Sequence, residues 1–210
     1  MINVCERCGS YRADKHIEHS GPYAICPDCG HRHRFVCTPL LIVSGASGAG
    51  KTRVCGLLTG VVTRAVLLDV DILWRREFND PVSNFRDFFE TWLRVAKNVA
   101  QSRRPVVLFG AGFGVPANIE PCIERRYFSA VHYLALTCAD DELRERLRAR
   151  PEWRGSGAAP FIEEQSRFNA WFKSYAGSPP ISVVDTSNVA PERTAQQVET
   201  WIRETIGSDD

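Results

Sequence analysis

The sequence is short of lysine: only Lys15, Lys51, Lys97 and Lys173 stand among its 26 basic residues, and the rest are arginine. A bias of composition explains the scarcity, but it makes the placing of each lysine worth noting. Net charge is lacking too. At +1, with 26 basic against 25 acidic side chains, the chain does not suit a nucleic-acid binder that relies on overall phosphate neutralisation, although a local basic patch stays open. Long apolar runs are missing. The longest, such as 65–68 and 131–136, fall far short of the ~20 residues a membrane-spanning helix needs. Glu6 and Arg7 follow no apolar stretch, so no secretory signal is visible and the expected compartment is the cytoplasm. A hydrophobic share of 44 % and a charged share of 24 % fit a soluble globular chain. Its length of 210 residues allows one α/β domain and a small appendage.

Cysteine is not scarce. Of eight, four form two tight pairs, Cys5-Glu-Arg-Cys8 and Cys26-Pro-Asp-Cys29, 17 residues apart. A Cys-x-x-Cys turn aims two sulfurs at one point, and two such knuckles supply four thiolates for tetrahedral Zn²⁺. In a reducing compartment, metal is favoured over disulfides. Gly9 and Gly30 follow the knuckles, where tight turns want positive φ. The stretch 10–25 reads as a hairpin around Gly21-Pro22. About 35 residues cannot build a core alone, so a zinc staple accounts for their folding. His16, His19, His31 and His33 are expected to be solvated surface residues, since four thiolates complete the site. Basic and acidic residues nearly balance in this segment, which favours a structural or protein-docking role over nucleic acid. The predicted division is a zinc ribbon at 1–37 and a second domain at 38–210.

Directly after the apolar run 40–44 comes Gly45-Ala46-Ser47-Gly48-Ala49-Gly50-Lys51-Thr52, a full match to G-x-x-x-x-G-K-[ST] with a predicted helix at 53–63 behind it. The glycines let backbone N–H groups turn inward as an anion nest, and the helix N-terminus adds positive potential. In such a loop Lys51 reaches the β- and γ-phosphates of ATP and the Thr52 hydroxyl ligates Mg²⁺. Arg53 continues the nucleotide-binding set. Near-continuous apolar runs at 65–69, 105–110, 131–137 and 181–185 read as further strands of a parallel sheet. Helices are expected at 84–101, 119–127, 141–150, 162–175 and 191–206. The fold class is therefore α/β, a P-loop NTPase sheet covered by helices, with ligand chemistry at the strand C-termini.

Strand 2 is read through Trp74, which places Asp71 at its phosphate end. Asp71 can orient and deprotonate an acceptor hydroxyl; alternatively Asp69 or Asp71 can hold Mg²⁺ through water, and either can instead cap the next helix. Trp74 suits a substrate ring or the core. Arg146 and Arg150 share a helix face, and Arg154 comes next in a Gly- and Pro-containing loop, a pattern for a flap closing over transferring phosphate. Gly110, Gly112 and Gly114 after strand 3 can admit a substrate or simply form a turn. Strand 3 has no terminal Asp, which moves the usual Mg²⁺ support to strand 2. Asp185-Thr186-Ser187 can line the adenine side or cap a helix.

At these residues the sequence resembles the P-loop kinases of the nucleoside, nucleotide and small-molecule type, including adenylylsulfate kinases, gluconate kinases and chloramphenicol phosphotransferase-like proteins. The resemblance spans roughly 40–206 and does not include the ribbon. It implies the strand order 2-3-1-4-5, Asp71 as the acceptor-activating carboxylate, and Arg146, Arg150 and Arg154 on phosphates. The expected activity is an ATP- and Mg²⁺-dependent phosphotransferase acting on a small molecule, nucleosides and nucleotides included. Competing readings are a nucleotide-dependent switch or assembly ATPase whose ribbon docks a protein, and a nucleic-acid end kinase.

Overall fold

The structure is a computed structural model that describes residues 2–207. Its main sheet has five parallel strands: β4 (Leu40–Gly45), β5 (Val66–Asp69), β6 (Val106–Phe109), β7 (Val131–Thr137) and β8 (Ile181–Asp185). They lie in the order β5-β6-β4-β7-β8, which is the expected 2-3-1-4-5 in order of appearance. Every residue of the central β4 is buried, as a strand covered on both faces requires. Alternate side chains divide between two cores. Leu40, Ile42, Val106 and Leu108 pack on one face with helix α2 (Arg86–Ala100), whereas Leu41, Val43, Val107 and Phe109 pack on the other with α1 (Lys51–Leu58) and α6 (Pro191–Ile206). The period-2 geometry of a strand makes that division.

Several boundaries differ from the sequence reading. Strand β5 ends at Asp69, and Val70–Leu73 form a 3₁₀ turn, so Asp71 stands on a turn beyond the strand. Helix α1 stops at Leu58, ahead of Gly60 at φ 79°, rather than running to 63. The helix expected at 119–127 is instead a short α3 (Pro116–Ile119) and a separate 3₁₀ turn Ile123–Tyr127. Pro121 lies between them, and the residue before a proline is pushed out of helical geometry. The remaining helices, α4 (Asp140–Arg148) and α5 (Ala159–Ser174), fall close to expectation.

The N-terminal segment carries three short antiparallel strands, β1 (His16–Glu18), β2 (Tyr23–Ile25) and β3 (Arg32–Arg34). The hairpin was expected; β3 was not. The segment builds its apolar core jointly with the rest of the chain, as Ile2, Ala24 and Phe35 pack on Tyr127. A buried polar network joins them. Lys97 Nζ donates to Glu124 Oε2 at 2.5 Å and to Asn3 Oδ1 at 2.6 Å, and lies 3.9 Å from the centre of the Tyr127 ring. The Tyr127 hydroxyl donates to the Ala13 carbonyl at 2.7 Å, and Gln101 exchanges two hydrogen bonds with the backbone of Val36. His33 is buried rather than solvated, and His31 is half-buried; both rings lie 3.3 Å from Glu6.

Candidate active site

Gly45, Gly48 and Gly50 all have positive φ (138°, 91° and 105°), a backbone that side chains other than glycine's resist. At Gly45 a Cβ would sit 2.3 Å from the Leu136 carbonyl oxygen, so the loop needs glycine there for space as well as for angle. The loop closes a cleft of about 470 Å³ lined by Ser47, Gly48, Gly50, Lys51, Thr52, Arg53, Asp69, Asp71, Arg146, Arg150 and Arg154. Every charged residue singled out for phosphate or Mg²⁺ chemistry is on that wall. Ala46 and Ala49 are buried behind it.

Lys51 donates to the Gly45 carbonyl at 2.7 Å and to Ala46 at 3.0 Å. Burial pulls its ammonium down to about 8, with the nearby positive charge of Arg150 acting in the same direction and Asp71 and Asp69 opposing. A buried cation short of negative charge is what a phosphate would relieve. Asp71 is pushed up, first by burial and then by the charge of Asp69, against the pull of Lys51 and Arg154. Asp69 caps the 3₁₀ turn, its Oδ1 accepting from the Asp71 backbone N–H at 2.9 Å.

The three arginines do not behave alike. Arg146 is held by Gly48 O, by the side chain and carbonyl of Thr186, and by Glu142 at 2.5 Å, so it braces the P-loop against the β8 end. The side chain of Arg150 makes no hydrogen bond or ion pair among the described residues, and its charge is disfavoured by burial and by Arg154. Arg154 lies over the Trp153 ring at 5.2 Å. Arg53 is exposed and 3.6 Å from Glu192. Behind Arg146 a smaller, more apolar recess of about 230 Å³ is formed by Gly48, Ala49, Thr186, Val189, Pro191 and Thr194. Asp185 bonds locally to Ser187, at 2.9 Å from its N–H and 2.6 Å from its hydroxyl, and Thr186 is the member of that trio on the recess.

Gly110 and Gly114 are packing positions: a Cβ would meet Val70 at 2.4 Å and Ser44 at 2.2 Å respectively. One loop contact had no signal in the sequence. Gln165, on α5, accepts from the Ser47 N–H at 2.8 Å and so occupies a donor of the anion nest.

The four sulfurs of Cys5, Cys8, Cys26 and Cys29 lie within 4.8 Å of one another. Cys5–Cys29 and Cys8–Cys26 are 3.6 and 3.8 Å apart. Four ligands at a Zn–S bond of about 2.3 Å stand about 3.8 Å apart in a tetrahedron, so the residues fit the ion. Cys5 and Cys26 are buried.

A parallel 2-3-1-4-5 sheet with a glycine-rich phosphate loop after its central strand is decisive for the fold. The chain has the P-loop kinase fold. It is similar to a sugar kinase from Janibacter sp. HTCC2649 (TM-score 0.57, 16 % identity, covering 79 % of this chain and 94 % of that one). It is also similar to the APS kinase of Mycobacterium tuberculosis in complex with AMPPNP and APS (0.55, 16 %, 80 % and 99 %) and to a gluconokinase from Sinorhizobium meliloti 1021 (0.51, 17 %, 82 % and 96 %). No protein-family model and no curated protein matches the sequence. Among the described residues, no helix is long and apolar enough to cross a membrane.

Proposed function

We propose that the chain is an ATP- and Mg²⁺-dependent phosphotransferase acting on a small hydroxyl-bearing molecule. The observation that carries this reading is Asp71, a carboxylate on the wall of the phosphate cleft that Lys51 and Arg150 share. The P-loop amides and Lys51 take the triphosphate, and the recess beside Arg146 and Thr186 takes the base. Gln165 gives up the Ser47 N–H when phosphate enters. Thr52 and Asp69, whose Oδ2 is not used by the cap, are the residues to hold Mg²⁺, which when bound neutralises charge on the phosphate oxygens. The acceptor oxygen bonds to the γ-phosphorus as the bond to the β,γ-bridging oxygen breaks; ADP leaves, and the acceptor proton passes to Asp71. Arg150, and Arg154 from the loop, stabilise the charge spread over the transferring group.

Residues 1–37 form the zinc-binding ribbon in this reading and 38–210 the catalytic part. The ribbon docks on the C-terminal half of α2, through Lys97 and Gln101. From Gln101 to Phe88, near the cleft, is about 20 Å at 1.5 Å per residue, which favours a structural or protein-docking ribbon over one that feeds a nucleic-acid end into the site. The test is an acceptor screen with γ-labelled ATP. Transfer of label that is abolished in Asp71→Asn supports the reading; ATP hydrolysis unaffected by every acceptor and by Asp71→Asn points to the switch ATPase instead.

A further inference from the structure

Beyond the phosphate cleft lies a second and larger cavity of about 940 Å³, sharing Ser47, Asp71, Ala111, Arg150 and Arg154 with it. On the kinase reading, on which this inference rests, it is where an acceptor sits with its hydroxyl at Asp71. Its walls are aromatic: Trp74, Phe85, Phe88, Phe89, Phe113 and Trp153 all line it. Among the described residues, the polar groups that side chains offer away from the shared boundary are few: the Ser156 hydroxyl, already given to the Leu147 carbonyl at 3.3 Å, and the indole N–H groups of Trp74 and Trp153. A polyol or a nucleobase edge packed against these rings would find fewer hydrogen-bond partners than it has in water. The cavity's cations, Arg150 and Arg154, stand on the boundary shared with the phosphate cleft, where the transferring phosphate would engage them. A flat apolar body would meet rings on several sides, the arrangement that favours stacking and edge-to-face contact.

Two further observations point the same way. Trp74 and Trp153 are 48 % and 79 % exposed, large rings left in water on the cavity wall. Phe85 lies at φ 58° and Asn84 at φ 53°, left-handed backbone that a bulky residue such as Phe85 rarely adopts. That turn brings Phe85 to the wall, where its ring packs 6.2 Å from that of Trp74.

We infer that the acceptor is an uncharged, hydroxyl-bearing molecule with an aromatic or otherwise flat apolar body, in preference to a polyol, a sugar acid or a nucleotide. Its hydroxyl meets Asp71 at the boundary of the two clefts, and its body fills the space between Trp74, Phe88 and Trp153. The phenolic or alcoholic oxygen is the nucleophile: it bonds to the γ-phosphorus, its proton passes to Asp71, and ADP leaves.

Binding and turnover are measured separately on the full chain. Tryptophan fluorescence is recorded during titration with 2-(2-naphthyl)ethanol and 4-nitrobenzyl alcohol, and with gluconate, shikimate and AMP, with MgADP present. ADP release from MgATP is followed with the same compounds. The inference expects saturable quenching by the aromatic alcohols alone. Affinity should be lost about tenfold in Trp74→Ala or Trp153→Ala, the order of one ring contact; both residues are exposed, so the variants are expected to fold. Quenching by the polar compounds with none by the aromatic alcohols, or quenching by the alcohols that both variants leave unchanged, would overturn it. If the aromatic alcohols bind as expected while no compound stimulates ADP release and Asp71→Asn changes nothing, the kinase reading fails and the cavity assignment stands.

Discussion

The backbone N–H of Asp71 donates to Oδ1 of Asp69 at 2.9 Å, so one carboxylate holds the turn that presents the other. By sequence either acid can cap the turn, and the resemblance makes Asp71 the acceptor-activating one. In the folded chain Asp69 has a structural duty that Asp71 lacks, and its charge helps keep Asp71 above the ordinary carboxylate range.

Asp71→Asn should lower kcat by about 10²–10⁴, the range of general-base catalysis, with ATP affinity unchanged by calorimetry. In the unaltered protein, activity should fall on acidification as Asp71 takes up a proton, at a pH above that of an ordinary aspartate. Asp69→Asn keeps a capping oxygen and removes the charge, so the titration of Asp71, followed by NMR without Mg²⁺ or nucleotide because the same substitution alters the proposed Mg²⁺ site, should move to lower pH. A titration that stays in place would show that burial alone raises Asp71.

Lys51 sets an alkaline limit. Its ammonium is depressed to about 8 in the ligand-free fold, whereas the unfolded chain keeps that proton to ~10.4. Between these values the unfolded state binds more protons, so the destabilising contribution of Lys51 fades as pH rises and stability from this group increases. Nucleotide binding reverses the balance, since a triphosphate beside Lys51 restores its charge. ATP affinity should therefore fall about tenfold per pH unit above pH 8, and Lys51→Arg should flatten the profile. Equal dissociation constants at pH 7 and pH 9 in the unaltered protein would remove this role.

Purified protein should carry one equivalent of zinc, lost in the Cys5→Ser, Cys26→Ser double variant. Since Ile2, Ala24 and Phe35 pack on Tyr127, the loss should lower the melting temperature of the whole chain, beyond unravelling the ribbon. Metal analysis and a thermal melt followed by near-ultraviolet dichroism check the two parts.

The Lys97–Glu124 pair is buried, with 1 % of each side chain exposed. Lys97→Met should cost about 3 kcal/mol, because it leaves Glu124 buried with only part of its compensation. Arg94, which bonds Glu124 from a side chain 42 % exposed, should contribute less than about 1 kcal/mol. Urea midpoints for the two variants should rank in that order.

Elements governed by local pattern were legible from the residues. The P-loop needed only its eight residues and the apolar run ahead of them, because glycine φ values and amide direction are set within the loop itself. The knuckles were legible for the same reason. The helix expected across Pro121 is divided because the residue before a proline is pushed out of helical geometry, and strand 2 ends ahead of Val70 and Leu73, which are apolar although they lie in a turn.

The sequence by itself therefore determined the phosphate cradle, the four-thiolate knuckles, the strand order through its resemblance, and the set of charged residues that line the cleft. Only the tertiary structure set Asp71 on a turn capped by Asp69, braced Arg146 against Thr186 while leaving the Arg150 side chain unpaired among the described residues, set Gln165 on the Ser47 amide, and gathered the rings of three distant segments into one cavity. The physical reason is range. Backbone angle and cysteine spacing act over a few residues, whereas burial, charge coupling and cavity shape depend on side chains that meet only when the sheet has formed and its helices have packed.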